Sequence, residues 1–100
     1  MRNTQFDEMK LHAAEAANLL KSLGNKNRLM ILCALMDEEM PVGKLNELLP
    51  LSQSALSQHL NYLRAEDLVE TRRESQSIYY RLKGNDSIKI ISTLKAIYCP

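Results

Sequence analysis

Apolar positions along the chain fall into five stretches of helical period and two of strand period. The first, about Gln5 to Leu23, puts Ala13, Ala16, Leu20 and Leu23 on one face, and Thr4 followed by Asp7 suits a capping box. Gly24 stands where a helix end favours positive φ. Asn25 then caps a second helix, about Lys26 to Met36, in which Leu29, Leu32, Cys33 and Met36 share a face, so Cys33 is expected to point inward. The acidic break Asp37-Glu38-Glu39 ends it. Pro41 opens a third helix, about Val42 to Leu49, because proline is tolerated in a first turn, and Pro50 stops it. Ser52 caps a fourth, where Leu56, Leu60 and Leu63 form the stripe that packs on a core.

After Asp67 the period changes. Val69, Thr71 and Arg73 alternate with Glu70 and Arg72, and Ile78, Tyr79, Tyr80 and Leu82 make a second β-rich run. Glu74-Ser75-Gln76-Ser77 is the turn between them. Gly84-Asn85-Asp86 closes the hairpin and caps a last helix, about Ser87 to Tyr98, with Ile88, Ile91, Leu94 and Ile97 or Tyr98 on its apolar side. The expectation is one domain over residues 1–100, mainly α with a small β-hairpin, in the order α-α-α-α-β-β-α. That is a winged helix-turn-helix. The first and last helices carry larger apolar faces than so small a domain buries alone, which predicts a dimer built on them.

The fourth helix is where chemistry enters. Leu51 to Tyr62 contains no Lys, Arg, Asp or Glu, and the face opposite the leucines presents Gln53, Ser54, Ser57, Gln58 and Asn61. A merely solvated helix face favours Glu, Lys and Arg, which are better helix formers. Amides and hydroxyls instead offer the fixed donor and acceptor pattern that reading base edges in a DNA major groove requires. Cations for phosphates follow at Arg64, Arg72, Arg73, Arg81 and Lys83. Net charge is only +1, so any attraction to nucleic acid has to be local. No apolar run approaches the roughly 20 residues of a membrane span, and the start MRNTQFDEMK does not resemble a signal peptide, so a cytoplasmic protein is expected. Its two cysteines then read as free thiols. There is no Cys-x-x-Cys, no acid–base pair and no glycine-rich phosphate loop, which argues against an enzyme. His59, beside the leucine stripe, is expected to make a structural hydrogen bond, and His12 to lie at the surface or a dimer rim.

The stretch LGNKNRLMILCAL, followed by LSQSALSQHLNYLRAEDLVETRRESQSIYYRL, resembles the second helix, recognition helix and wing of the ArsR–SmtB family of bacterial winged-helix repressors, over about Ala14 to Tyr98. The resemblance implies a homodimer held by the first and last helices on a near-palindromic double-stranded operator. Gln53, Ser54, Ser57 and Gln58 would touch bases, and Arg72 and Arg73 would meet phosphates from the wing. The family's usual effector is a metal, yet its C-V-C motif falls on Pro41-Val42-Gly43, and of its last-helix ligands only Asp86 is present, with no His on that helix. Clusters of thiolate, imidazole or carboxylate are what such metals need, so neither metal nor cofactor is expected. Cys33 and Cys99, with the ending K-A-I-Y-C-P, resemble instead the thiol- and persulfide-sensing branch of the family. In that branch a disulfide or polysulfide bridge between second-helix and last-helix cysteines alters operator binding. Cys33 by itself reads rather as a small buried hydrophobe, its helical neighbours Leu29 and Asp37 offering no cation, whereas Cys99 follows Lys95 by one turn. A constitutive repressor with silent cysteines, or an anti-silencing activator, stands as the alternative.

Overall fold

The computed structural model describes residues 4–100. The elements run α1 (Thr4–Leu23), α2 (Lys26–Asp37), β1 (Met40–Pro41), α3 (Val42–Leu48), α4 (Gln53–Ala65), β2 (Val69–Glu74), β3 (Ser77–Leu82) and α5 (Asp86–Tyr98). The expected helix and hairpin order holds. One element was not foreseen: β1, whose two residues pair antiparallel with β3, Met40 opposite Tyr80 and Pro41 opposite Tyr79. The wing is therefore a three-stranded sheet in the order β1-β3-β2 rather than a free hairpin.

Local chemistry sets most boundaries. The Asn25 side chain accepts from the amides of Asn27 and Arg28 and starts α2. Pro41 lies one residue before α3, with φ −76° and ψ 162°, so it belongs to β1 instead of the helix's first turn. α1 already includes Thr4, which is thus a helical residue and not a flanking cap. At the end of α4 the Leu68 amide donates to the Leu63 carbonyl at 2.9 Å across Asp67 in the left-handed region (φ 65°), a Schellman-type stop. Ser75, at φ 56°, forms the wing's two-residue turn with Gln76, and Glu74 and Ser77 close the ladder as its last pair. Gly24 does not have the positive φ expected of it. A Cβ there would lie 3.0 Å from the Leu20 carbonyl oxygen, so a side chain would require the end of α1 to give by a few tenths of an ångström.

The core is a leucine-rich cluster in which Ile31, Leu32, Leu45, Leu56, Leu60 and Leu63 are completely buried, with Ile91 nearly so. Arg28 knits three helices around it. Its guanidinium donates to the last carbonyls of α1, at Ser22 (2.8 Å) and Lys21 (2.9 Å), and lies 4.1 Å from the ring centroid of Tyr62 on α4. A cation belongs at a helix C-terminus, which the backbone dipole makes negative.

The chain extends over 59 × 30 × 21 Å, with a radius of gyration of 15.6 Å, against about 13 Å for a compact chain of this length. The excess comes from α1: from Thr4 to Asn18 only Asp7 and Ala16 are even half-buried. The helical face expected for α1 is thus only partly used within the chain. Leu23 is buried and Ala16 half-buried, but Ala13 is exposed and Leu20 is 61% exposed.

Candidate nucleic-acid interface

The α3–α4 turn is short and internally bonded. The Asn46 side-chain amide donates to the Leu51 carbonyl at 2.7 Å, and the Ser52 hydroxyl accepts the Ala55 amide at 3.1 Å. Those bonds fix where α4 starts. The complete burial of Leu56, Leu60 and Leu63 then fixes its rotation about its own axis. As a result Gln53, Ser54, Gln58 and Asn61 stand exposed together on the opposite face, with Ser57 half-buried beside them. The Ser52 and Ser54 hydroxyls are 3.4 Å apart. All four residues expected to touch bases are thus brought onto one accessible, uncharged helical face. His59 is half-buried next to the leucine stripe, as its position in the sequence implied.

The cations divide into two groups, a distinction invisible in the sequence. Arg64 and Arg73 are exposed and enter no ion pair among the described residues. The others are engaged. Arg81 donates to Glu70 across the ladder at 3.0 Å, and Lys83 to Asp67 at 2.7 Å, which raises the lysine's pKa. Arg72 makes the most contacts. Its Nε lies 2.7 and 2.9 Å from the two Glu39 carboxylate oxygens, a second nitrogen also bonds Glu39, a third reaches Glu74 at 2.8 Å, and the guanidinium covers the Tyr79 ring at 4.6 Å. The hydrogen bond from Arg72 holds the Glu39 carboxyl below the usual carboxylate range, and the two glutamates push the arginine's own value up.

Strand alternation explains the split. Val69, Thr71 and Arg73 share the face of Leu82, Tyr80 and Ile78, which is buried at the base of the wing and exposed at its tip. Glu70, Arg72 and Glu74 share the other face with Arg81, Tyr79 and Ser77, where opposite charges meet and neutralise one another. Of the two tyrosines, Tyr80 packs on the core and Tyr79 lies under Arg72.

Cys33 is half-buried on α2, against the core and on the side of α5. Burial pushes its thiol up, and the charge of Lys95 on α5 pulls it back. The cation that its helical neighbours Leu29 and Asp37 do not offer comes from another helix, which the sequence could not reveal. Cys99 is exposed at the C-cap of α5, its amide donating to the Lys95 carbonyl at 2.7 Å. Lys95 thus bears on Cys33 through its charge and on Cys99 through its backbone carbonyl. Pro41 caps α3, Val42 and Gly43 begin it, and no group of three His, Cys, Asp or Glu side chains is placed to hold a metal ion among the described residues. His12 is exposed on α1, 3.9 Å from Glu15. No helix among the described residues is long and apolar enough to cross a membrane.

Comparison with known proteins gives this geometry its context. Residues 25–71, from the cap of α2 into β2, match the model of the bacterial regulatory protein family arsR. The transcriptional activator HlyU of Vibrio cholerae serotype O1 is 48% identical over 94 residues, covering 94% of this chain and 87% of that protein. The structure of reduced HlyU from Vibrio cholerae N16961 superposes with a TM-score of 0.85 at 47% identity, over 93% of this chain and 98% of that one. The transcriptional repressor BigR from Xylella fastidiosa gives a TM-score of 0.89 at 39% identity, over 94% of this chain and 96% of that one. With the winged helix-turn-helix fold and end-to-end similarity in hand, the chain belongs to the arsR family of DNA-binding transcriptional regulators and is not an enzyme.

Proposed function

We propose that the protein is a cytoplasmic, homodimeric repressor that binds a near-palindromic operator and releases it when Cys33 and Cys99 become joined by a disulfide or polysulfide. The observation that carries the DNA reading is the uncharged, exposed face of α4 opposite three fully buried leucines. Gln53, Ser54, Ser57 and Gln58 read base edges from this face. Arg64 and Arg73 supply phosphate contacts at its flanks, and Arg72 belongs to the wing that carries Arg73.

Dimerisation follows from the same accounting of surface. Leu20 on α1, and Ile97 and Tyr98 on α5, are 61%, 62% and 78% exposed in a single protomer, and α1 projects well beyond the core. A twofold pair covers these side chains and presents two α4 helices to successive major grooves about 34 Å apart.

The switch reading is supported by the exposed Cys99 at the end of α5, by the charge of Lys95 on that same helix acting on Cys33, and by the connection a link between the two cysteines would make. Cys33 sits on α2, which packs on α4, and Cys99 ends α5, a proposed seam helix. A link thus couples the element that sets the reading head to the one that sets subunit spacing. A direct disulfide requires Cα atoms within about 7 Å, and additional sulfurs relax that limit. A second reading, an activator that displaces another DNA-binding protein, is favoured by the 48% identical transcriptional activator HlyU.

Selection of duplexes from random DNA by the reduced protein tests the DNA reading. A near-palindrome with half-sites one helical turn apart is the expected product, and no enrichment over random sequence overturns the reading. The two readings separate in a reporter assay at such an operator, where a repressor lowers basal transcription and an anti-silencer has no effect unless the silencing protein is present.

A further inference from the structure

The wing's two adjacent arginines do different jobs. We propose that Arg72 is a wing-positioning residue, reaching from β2 across the middle strand and over the Tyr79 ring to the Glu39 carboxylate, so that the wing's grip on phosphate is left to Arg73. The inference rests on the DNA-binding reading of the site.

Arg72, Tyr79 and Pro41 stand in one row across the sheet, by the pairings Arg72 with Tyr79 and Tyr79 with Pro41. Glu39 precedes Pro41 by two residues and so lies on the same face. An extended Arg72 side chain therefore crosses β3 above Tyr79 and meets Glu39 beyond it, tying the outer strand to the segment that leads into α3. β1 itself holds the sheet with only two residue pairs. A bidentate guanidinium–carboxylate pair adds a geometric constraint that a point charge cannot supply.

This pair is also the most sheltered among the described residues, with Arg72 35% and Glu39 30% exposed at their side chains. Arg72 has no unused charge to offer, since Glu39 and Glu74 both face it. A phosphate approaching it would have to displace one carboxylate and meet the repulsion of both. Arg73, on the other face and toward the tip, has no such competitor among the described residues.

Three variants of the full-length protein, Glu39→Gln, Arg72→Lys and the double variant, test the assignment by two readouts. Operator affinity is measured by fluorescence anisotropy, and amide hydrogen exchange in β2 and β3 is followed in the free protein. The positioning role predicts that each single change weakens operator binding by about fivefold, as befits one half-buried ion pair. Exchange at the wing tip should quicken in both, and the double variant should lose no more than the worse single one. A phosphate role predicts otherwise: Arg72→Lys, which keeps the charge, would bind like wild type, and Glu39→Gln, which frees Arg72, would bind more tightly. Either result overturns the proposal. Wild-type protein that binds no DNA would refute the DNA reading instead, while unchanged wing exchange in Glu39→Gln and Arg72→Lys would refute the positioning role alone.

Discussion

Opposite faces of α4 should respond to mutation in opposite ways, and Leu60 and Gln53 make the comparison sharp. Leu60 is 0% exposed and sits between Leu56 and Leu63, which are equally buried. Leu60→Ala removes three carbons, worth about 2.4 kcal/mol at 0.8 kcal/mol per methylene, before the cavity is counted. Ile31, Leu32, Leu45 and Leu56 are all completely buried and come from three different helices, so collapse into the void is resisted. A cavity term of about 24 cal/mol per Å³ then brings the loss to about 3–5 kcal/mol. At 4–8 °C per kcal/mol, a loss of 3 kcal/mol lowers Tm by about 12–24 °C. Gln53→Ala removes an exposed side chain at the start of the same helix and should change stability by less than about 0.5 kcal/mol. It should nevertheless relax base preference and cost about 1–3 kcal/mol of operator affinity. Thermal unfolding by circular dichroism, at one fixed protein concentration because a dimer's Tm depends on it, and anisotropy with selected and scrambled duplexes supply both numbers. A Gln53 variant that melts as low as the Leu60 variant, with unchanged base preference, would refute the assignment of faces.

The remaining predictions concern the cap, the seam and the thiols. Ser52→Ala removes the side-chain acceptor for the Ala55 amide and should destabilise the fold by about 0.5–2 kcal/mol, read as a shifted denaturant midpoint at constant m. Ile97→Glu puts a charge into the proposed seam, and light scattering should fall from twice the chain mass to the chain mass, whereas a dimer unaffected by it would place the interface elsewhere. Cys99 should alkylate ahead of Cys33 at pH 8, followed by mass spectrometry of the digested protein, because Cys99 is exposed and burial raises the Cys33 thiol. The folded state holds the Cys33 proton more tightly than the unfolded chain does. Its contribution to stability is therefore complete below the ordinary thiol value and disappears as pH rises through the raised one.

The sequence made the reading head legible because its signals are local. A capping serine, a leucine stripe and a charge-free face all lie between Ser52 and Leu63. β1 escaped notice because two residues show no period, and its partners Tyr79 and Tyr80 lie about 40 positions away. The separate duties of Arg72 and Arg73 depend on Glu39, 33 residues from Arg72, and on which face each strand residue takes. The role of Arg28 depends on the end of α1 and on the ring of Tyr62, which the fold brings to it. Cys33 was correctly placed beside the core, but its electrostatic neighbour, Lys95, is on another helix. In each case the missing information was a long-range juxtaposition, which a period or a cap cannot encode.

The central claim, a regulator whose grip on DNA depends on two thiols, is tested most directly by one titration. Reduced protein and polysulfide-treated protein are titrated against the selected operator, with intact-mass analysis of each sample and with Cys33→Ser and Cys99→Ser alongside. The account predicts tight binding by reduced protein, loss of binding in the treated sample together with a mass showing two thiol hydrogens lost and any bridging sulfur gained, and no response in either serine variant. Equal operator affinity in the reduced and crosslinked forms would contradict it, leaving a repressor that ignores its cysteines.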